Sequence, residues 1–232
     1  MECCAVLDLR QYTVFPGRRD ELIELFDREF VEGQEAYGMH LCGQFRDLDD
    51  EDRFVWMRGF ASLEARAEAL NGFYYGPTWK AHAAAANATM RDSDNALLLR
   101  PVWFGPEFPA VDALRPPVGS EEVPGSVVVG AVYHRPSVDD GFVEFFLSEV
   151  VPLLPPLAAV LETLPAENNF PALPLRDETV LVWLARFDDE SAWEGQLSSS
   201  AEWQEVTAEL DRRCVRPAQE LRLRPTARSQ FV

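Results

Sequence analysis

Asp8, Arg10 and Tyr12 stand at alternate positions of a β-rich run, so one strand face would carry a carboxylate, a guanidinium and a phenol together. That trio suits acid–base work on a small molecule. Asp8 or a histidine would take an acidic proton while Arg10 and Tyr12 hold the enolate or phenolate that forms. Arg58 shares a strand face with Phe54, Trp56 and Phe60 and would add a second guanidinium. His82, three positions after Trp79 on a helical stretch, and His134, at a strand end, could serve as a general base or ligate haem iron. The candidates for chemistry are therefore Asp8, Arg10, Tyr12, Arg58 and His82; those for holding a substrate are Trp56, Gln44, His40 and His134. Each has a plainer reading. Asp8 and Arg10 would pair with each other or with Arg58 and hold the fold together, the histidines would be satisfied core or surface residues, and the tryptophans would pack.

Metal and cofactor chemistry finds less support. His40-x-Cys42 places two potential ligands on one strand, yet a site needs a third and a fourth. Cys3 and Cys4 are adjacent, and Cys42 and Cys214 stand alone, which is neither a zinc spacing nor a disulfide framework. The acidic run 47–52 lacks the glycine and the flanking helices of a calcium loop and reads as a solvated hairpin tip. The sequence holds no glycine-rich phosphate loop, GxSxG elbow, HExxH pair or kinase signature. The expectation is no metal and no cofactor.

The elements that position these residues belong to a chain of 232 residues, enough for one large domain or two of about 100–120 residues. Its 39 acidic against 21 basic residues leave a net charge of −18, which repels phosphate backbones and anionic lipid surfaces. Apolar runs such as 127–129 and 150–164 are short or broken by proline, and no basic-then-apolar leader opens the sequence. A cytoplasmic protein with no nucleic-acid and no membrane partner is expected.

Alternation predicts a strand over 6–14, closed by Pro16-Gly17, and Leu22, Leu25, Phe26 and Phe30 share one face of a helix over 18–35. Strands follow over 39–47 and 53–60, a helix over 63–71 behind the N-cap Ser62, a second helix over 78–89, and a strand over 96–102. That order is βαββαβ. A weaker copy follows, with strands over 127–134, 160–164, 179–187 and 220–225 and helices over 138–151, 190–197 and 201–214. The copy is visible in the residues: Trp56 and Phe60 recur as Trp183 and Phe187, Trp79 as Trp203, and 98–101 as 222–225, at nearly one spacing. Residues 1–103 form the first expected unit, the proline-rich 104–125 a linker, and 126–232 the second, degenerate unit. The fold class is α+β, two tandem ferredoxin-like units whose sheets cover each other to complete one barrel within the chain.

Leu9-Arg10-Gln11-Tyr12-Thr13-Val14 before Pro16-Gly17, Gly43-Gln44-Phe45, the stretch 60–66, Pro77-Thr78-Trp79 and Leu99-Arg100-Pro101 occur in an order that resembles the NIPSNAP family. The resemblance covers about residues 5–102 well and 126–226 faintly. It implies the dimeric α+β barrel fold, with two ferredoxin-like sheets facing each other around a small-molecule cavity. Where the family often carries Trp two positions before the aromatic of the third strand, this chain has Arg58 and, in its second half, Ala185.

On this reading Leu7 and Leu9 fit the helix side, so Asp8, Arg10 and Tyr12 would face the barrel interior against an apolar wall of Val128, Gly130 and Val132. Alternation leaves open whether His40 or Met39 looks inward. The resemblance implies a cofactor-independent monooxygenase, isomerase or cyclase acting on an aromatic or polyketide-like substrate; a non-catalytic binder or scaffold and a haem-using barrel are the alternatives. A homodimer is allowed but not required.

Overall fold

β1 (Val6–Val14) is buried almost end to end, because residues of both parities find cover. The structure is a computed structural model that describes residues 4–108, 114–138 and 141–232; Cys3, part of 104–125 and residues 139–140 of the helix expected over 138–151 lie outside them. Gly17, at a φ of 74°, turns the chain into α1 (Arg19–Leu25), which runs through a π turn at Phe26–Phe30 into α2 (Val31–Glu35). β2 (His40–Asp47) and β3 (Arg53–Phe60) flank the acidic tip, where Asp47 Oδ1 accepts from the backbone N–H groups of Asp49 and Asp50. Ser62 caps α3 (Leu63–Tyr74), Pro77 opens α4 (Pro77–Thr89), and β4 (Met90–Asp92) and β5 (Ala96–Phe104) follow.

β6 (Val127–His134), α5 (Phe142–Phe145), β7 (Ala158–Thr163), β8 (Val180–Phe187), α6 (Glu190–Trp193), α7 (Ala201–Arg213) and β9 (Gln219–Pro225) repeat the pattern. α5 passes into a π turn at Phe146–Val150, as α1 does at the matching place. The strands run β5-β1-β3-β2 in one sheet and β9-β6-β8-β7 in the other. β2 pairs with β9 and β5 with β7, so the two sheets face each other and join at both edges as a closed eight-stranded antiparallel barrel. β4 adds only a short rung to β1.

An eight-stranded barrel is just wide enough for side chains to fill. Here the interior is mainly apolar: Leu7, Leu9, Val55, Met57, Val128, Val182 and Leu223 belong to one buried cluster, and Gln11 pairs with Gln219. Two further clusters lie between the sheets and their helices, one holding Tyr12, Phe54, Trp56 and Phe26, the other Ala131, Tyr133, Trp183 and Trp203. The expected orientation of β1 is therefore reversed. Leu7 and Leu9 fill the barrel, and Asp8, Arg10 and Tyr12 face the helices. The physical reason is that the interior excludes water on all sides, whereas polar helix side chains and loops can satisfy a charge in the outer layer. Among the described residues no helix is long and apolar enough to cross a membrane.

Candidate active site

Across the β1–β3 ladder Asp8 stands opposite Arg58, Arg10 opposite Trp56 and Tyr12 opposite Phe54, so the register gathers five of the candidates on one sheet face. Asp8 is wholly buried. Its Oδ2 accepts from Arg58 Nη2 at 2.9 Å and Nε at 3.1 Å, and its Oδ1 accepts from Arg66 Nε at 2.9 Å. Arg58 also donates to Gln34 Oε1 at 2.7 Å and lies over the Trp56 ring at 4.9 Å. Arg66 reaches Asn169 Oδ1 at 2.7 Å, on the loop between β7 and β8. Burial alone would push the Asp8 carboxyl up, but the guanidiniums of Arg58, Arg66 and Arg10 outweigh it and hold the group below the usual carboxylate range. Asp8 is thus an ionised carboxylate with both oxygens engaged.

Arg10 is bound differently. Its Nε donates to Tyr12 Oη at 3.0 Å and its Nη2 to the Ser93 carbonyl at 3.0 Å, while Nη1 is buried with no hydrogen-bond partner among the described residues. Trp56 Nε1 is in the same condition. Unmet buried donors are uncommon because each forfeits its hydration. Burial pushes the Tyr12 phenol up to about 12, so it keeps its proton at neutral pH. Its oxygen accepts from Arg10, which leaves its own hydrogen to be donated.

Tyr12 and Ser93, the two residues that Arg10 holds, line a cleft of ≈ 310 Å³ between the sheet and the helices. Tyr74, Tyr75, Trp79 and Asn87 form its helix side, and Met90, Phe170, Ala172 and Leu173 complete the walls. A small cavity of ≈ 20 Å³ shares Tyr12, Tyr74, Trp79 and Met90 with it and reaches Trp56, Phe26 and Phe30. Two clefts of ≈ 410 and ≈ 540 Å³ elsewhere are larger and contain none of Asp8, Arg10, Tyr12 or Arg58. The polar set thus sits beside an aromatic cleft outside the barrel, not in its interior as expected.

The remaining candidates lie apart. His82 lines neither cavity and has Nε2 3.4 Å from a Glu29 carboxylate oxygen. His134 ends β6 beside Glu178, and burial together with Arg216 lowers its pKa, favouring the neutral ring. Gln44 lies opposite Trp56 in the β2–β3 ladder, but its side chain meets Arg115 at 3.5 Å. A bulge between Leu41 and Gly43 breaks the alternation of β2, so His40 and Gln44, an even number of positions apart, do not lie on one face. Met39 packs in the helix layer and His40 turns towards Cys4 and Cys42 of the barrel interior.

Sequence reasoning missed Arg66 and Gln34, although helical spacing marks both: Arg66 precedes Leu70 and Phe73 on the buried face of α3, and Gln34 follows Phe30 by one turn. Ser93 contributes a backbone carbonyl, for which no residue-type signal exists.

The second unit offers an internal comparison. In the β6–β8 ladder Val129 faces Ala185, Ala131 faces Trp183 and Tyr133 faces Leu181. Aligning Trp183 with Trp56 puts Val129 and Ala185 where Asp8 and Arg58 stand, and Ala131 where Arg10 stands. The apolar counterpart is thus 129, 131 and 133, one residue on from the expected 128, 130 and 132. Its cleft, ≈ 160 Å³, is lined by Trp183, Trp193 and Trp203, with Asp211, Glu220 and Arg222 also on its walls.

A closed barrel built from two ferredoxin-like sheets, with a buried charged cluster on the helix side of the first sheet and apolar residues at the matching positions of the second, defines an α+β barrel of the dimeric type completed by a single chain. Residues 7–106 match the sequence profile of the NIPSNAP family. The whole barrel is similar to a "putative monooxygenase" of Fusobacterium nucleatum, with a TM-score of 0.64 at 9% identity over 97% of this chain and 94% of that one. It is also similar to a "putative monooxygenase" of Lactobacillus acidophilus, with a TM-score of 0.62 at 12% identity, covering 97% and 96%. An "anthrone oxidase-like protein" gives 0.61 at 14%, covering 95% and 91%. At these identities the likeness is one of fold. No curated protein matches the chain in sequence.

Proposed function

We propose that the cleft between β1, β3 and helices α3 and α4 is the active site of a cofactor-independent enzyme, which takes an aromatic or polyketide-like substrate through an oxygen that becomes negatively charged. The observation that carries this reading is the buried Arg10 guanidinium, whose Nη1 has no partner among the described residues and which is held to Tyr12 and Ser93 on the wall of an aromatic cleft. The second unit builds the same layer with Ala131, Val129 and Ala185, so the fold itself has no need of these charges. Buried ions are costly when hydrophobic residues could replace them, and a function explains their presence here.

Tyr12 and Arg10 donate to the substrate oxygen, and Trp56 and Trp79 supply aromatic contact. Asp8, Arg58 and Arg66 act as positioning residues that fix β1 against the helices. The described cleft walls carry no carboxylate or imidazole. The substrate's own acidic proton therefore leaves to water, and the site lowers the barrier by stabilising the conjugate base. For an activated methylene the net oxygenation is R2CH2 + O2 → R2CO + H2O: the carbon loses four electrons, dioxygen gains them, and one oxygen atom stays on carbon. The names of the three structural neighbours agree with that class of reaction. Residues 1–103 and 126–232 are the two units of this arrangement, and only the first is catalytic.

The test uses an anthrone as probe, with dioxygen consumption and tryptophan fluorescence read in parallel. Tyr12→Phe and Arg10→Met are each expected to lower kcat/KM at least tenfold, about 1.4 kcal/mol, with cooperative unfolding retained. Unchanged turnover in both variants would overturn the assignment. The lack of a side-chain base also favours a second reading, a non-catalytic binder, and saturable fluorescence quenching without dioxygen consumption selects it.

A further inference from the structure

Cys4, His40 and Cys42 meet at one end of the barrel interior, away from the aromatic cleft. Cys4 precedes β1, His40 opens β2, and Cys42 sits at the β2 bulge. All three are buried, and their ligand atoms lie within 4.8 Å of one another. His40 Nδ1 is 3.4 Å from Cys4 Sγ and 3.8 Å from Cys42 Sγ.

We propose that these three residues bind a thiophilic closed-shell cation, Zn²⁺ or Cu⁺, through Cys4 Sγ, His40 Nδ1 and Cys42 Sγ. The spacing fits. Bonds of about 2.3 Å to sulfur and about 2.0–2.1 Å to nitrogen place tetrahedral ligand atoms about 3.5–3.8 Å apart, and trigonal ones slightly further. The imidazole is also set in the required tautomer. Gln230 Oε1 lies 2.8 Å from His40 Nε2 and accepts from Arg115 Nη2 at 3.1 Å, so the shared atom is the amide oxygen and Nε2 carries the hydrogen. The lone pair then sits on Nδ1, facing both sulfurs. A second-sphere acceptor of this kind is the usual means of orienting a metal-binding histidine.

Ligand chemistry selects the cation. Two thiolates and an imidazole form a soft set, suited to Zn²⁺ or Cu⁺ and poor for Mg²⁺ or Ca²⁺. Two thiolates cancel the charge of a divalent ion, which lowers the cost of holding it where water is excluded. Binding expels both thiol protons, so affinity falls as pH falls. Loading would tie the N-terminal segment to β2, and through Gln230 to the tail whose Phe231 enters the barrel interior. The strand motif alone offered two ligands; Cys4 arrives from a segment 36 positions away in sequence.

The full chain, purified under anaerobic reducing conditions, is titrated with Zn²⁺ and Co²⁺ against a chelator and with Cu⁺ against a Cu⁺-selective chelator. One cation per chain is expected, with thiolate-to-cobalt charge-transfer absorption in the Co²⁺ form. Cys4→Ser and Cys42→Ser should each weaken binding at least about 100-fold, Gln230→Ala about tenfold, and Cys214→Ser not at all. Should the cysteine variants fail to fold, X-ray absorption of the zinc-loaded wild type decides. Two sulfurs at about 2.3 Å and one nitrogen at about 2.0–2.1 Å support the site, and a shell of oxygen and nitrogen alone overturns it. Failure of the reduced protein to bind either Zn²⁺ or Cu⁺ overturns it equally.

Discussion

Asp8 is held by two arginines, and the energetics of that cluster depend on which member is removed. Asp8→Ala leaves Arg58 and Arg66 buried side by side with no counter-ion, and is expected to cost about 3–5 kcal/mol in denaturant unfolding. Replacing all three with apolar residues (Asp8→Val, Arg58→Met, Arg66→Met) leaves Arg10 as the one remaining charge of the cluster instead of three guanidiniums, and should cost less than the single change. A larger loss in the triple variant would show that packing, not charge pairing, governs this layer. Arg58→Ala is expected to affect stability before it affects binding, which is why the functional test falls on Arg10 and Tyr12. The Asp8 carboxyl is held below its ordinary range, so its stabilisation is complete above about pH 4 and is lost as pH falls below that.

At the scale of the element, the π turn at Phe26–Phe30 places Asp27 against the C-terminal segment, where Thr226 Oγ1 reaches its carboxylate at 3.4 Å. Burial raises Asp27 to about 6, and the hydrogen bond from Thr226 and the Arg228 charge only partly offset this. The sign is opposite to that of Asp8. A raised carboxyl pKa favours folding below about pH 4, and that contribution, about 2–3 kcal/mol, is lost as pH rises through 6. Asp27→Asn should therefore raise stability at pH 7.5 and leave it nearly unchanged at pH 4, read by urea unfolding at both values. Equal effects at the two pH values would refute the assignment. The β2 bulge makes a second demand: a Cβ at Gly43 would overlap the Phe45 ring and crowd Phe231. Gly43→Ala is expected to cost about 1–3 kcal/mol through overpacking.

In the molecule as a whole, the two sheets share one interior, to which Leu7, Val55, Val128, Val182 and Phe231 all contribute. Neither half can bury that surface alone. The chain is expected to unfold in one transition, with calorimetric and van't Hoff enthalpies equal; two resolved transitions would contradict a shared core. A fragment of residues 1–103 should dimerise or aggregate, because it exposes both the barrel face of its sheet and the edges that β7 and β9 cover. Phe231 is fully buried against Phe45 and Phe108, so Phe231→Ala is expected to cost about 3–5 kcal/mol.

Local pattern determined much of this. Alternation and helix caps located the four barrel strands of the first unit to within two residues and missed the short β4, the Trp56–Trp183 repeat pointed to a duplication, and the order of short motifs pointed to the family. Alternation also grouped Asp8, Arg10 and Tyr12 with one another, and Arg58 with Trp56, because a period of two is a property of the backbone. Only tertiary structure decided which way that face points. A strand buried on both sides has no polar edge to orient it, and the sign of the choice lies in long-range partners: Arg66 and Gln34 on helices, and Asn169 from the other half of the chain. Likewise His40-x-Cys42 is legible as a motif, but its third member depends on the pairing of β1 and β2 with β3, which brings together segments that sequence spacing cannot relate.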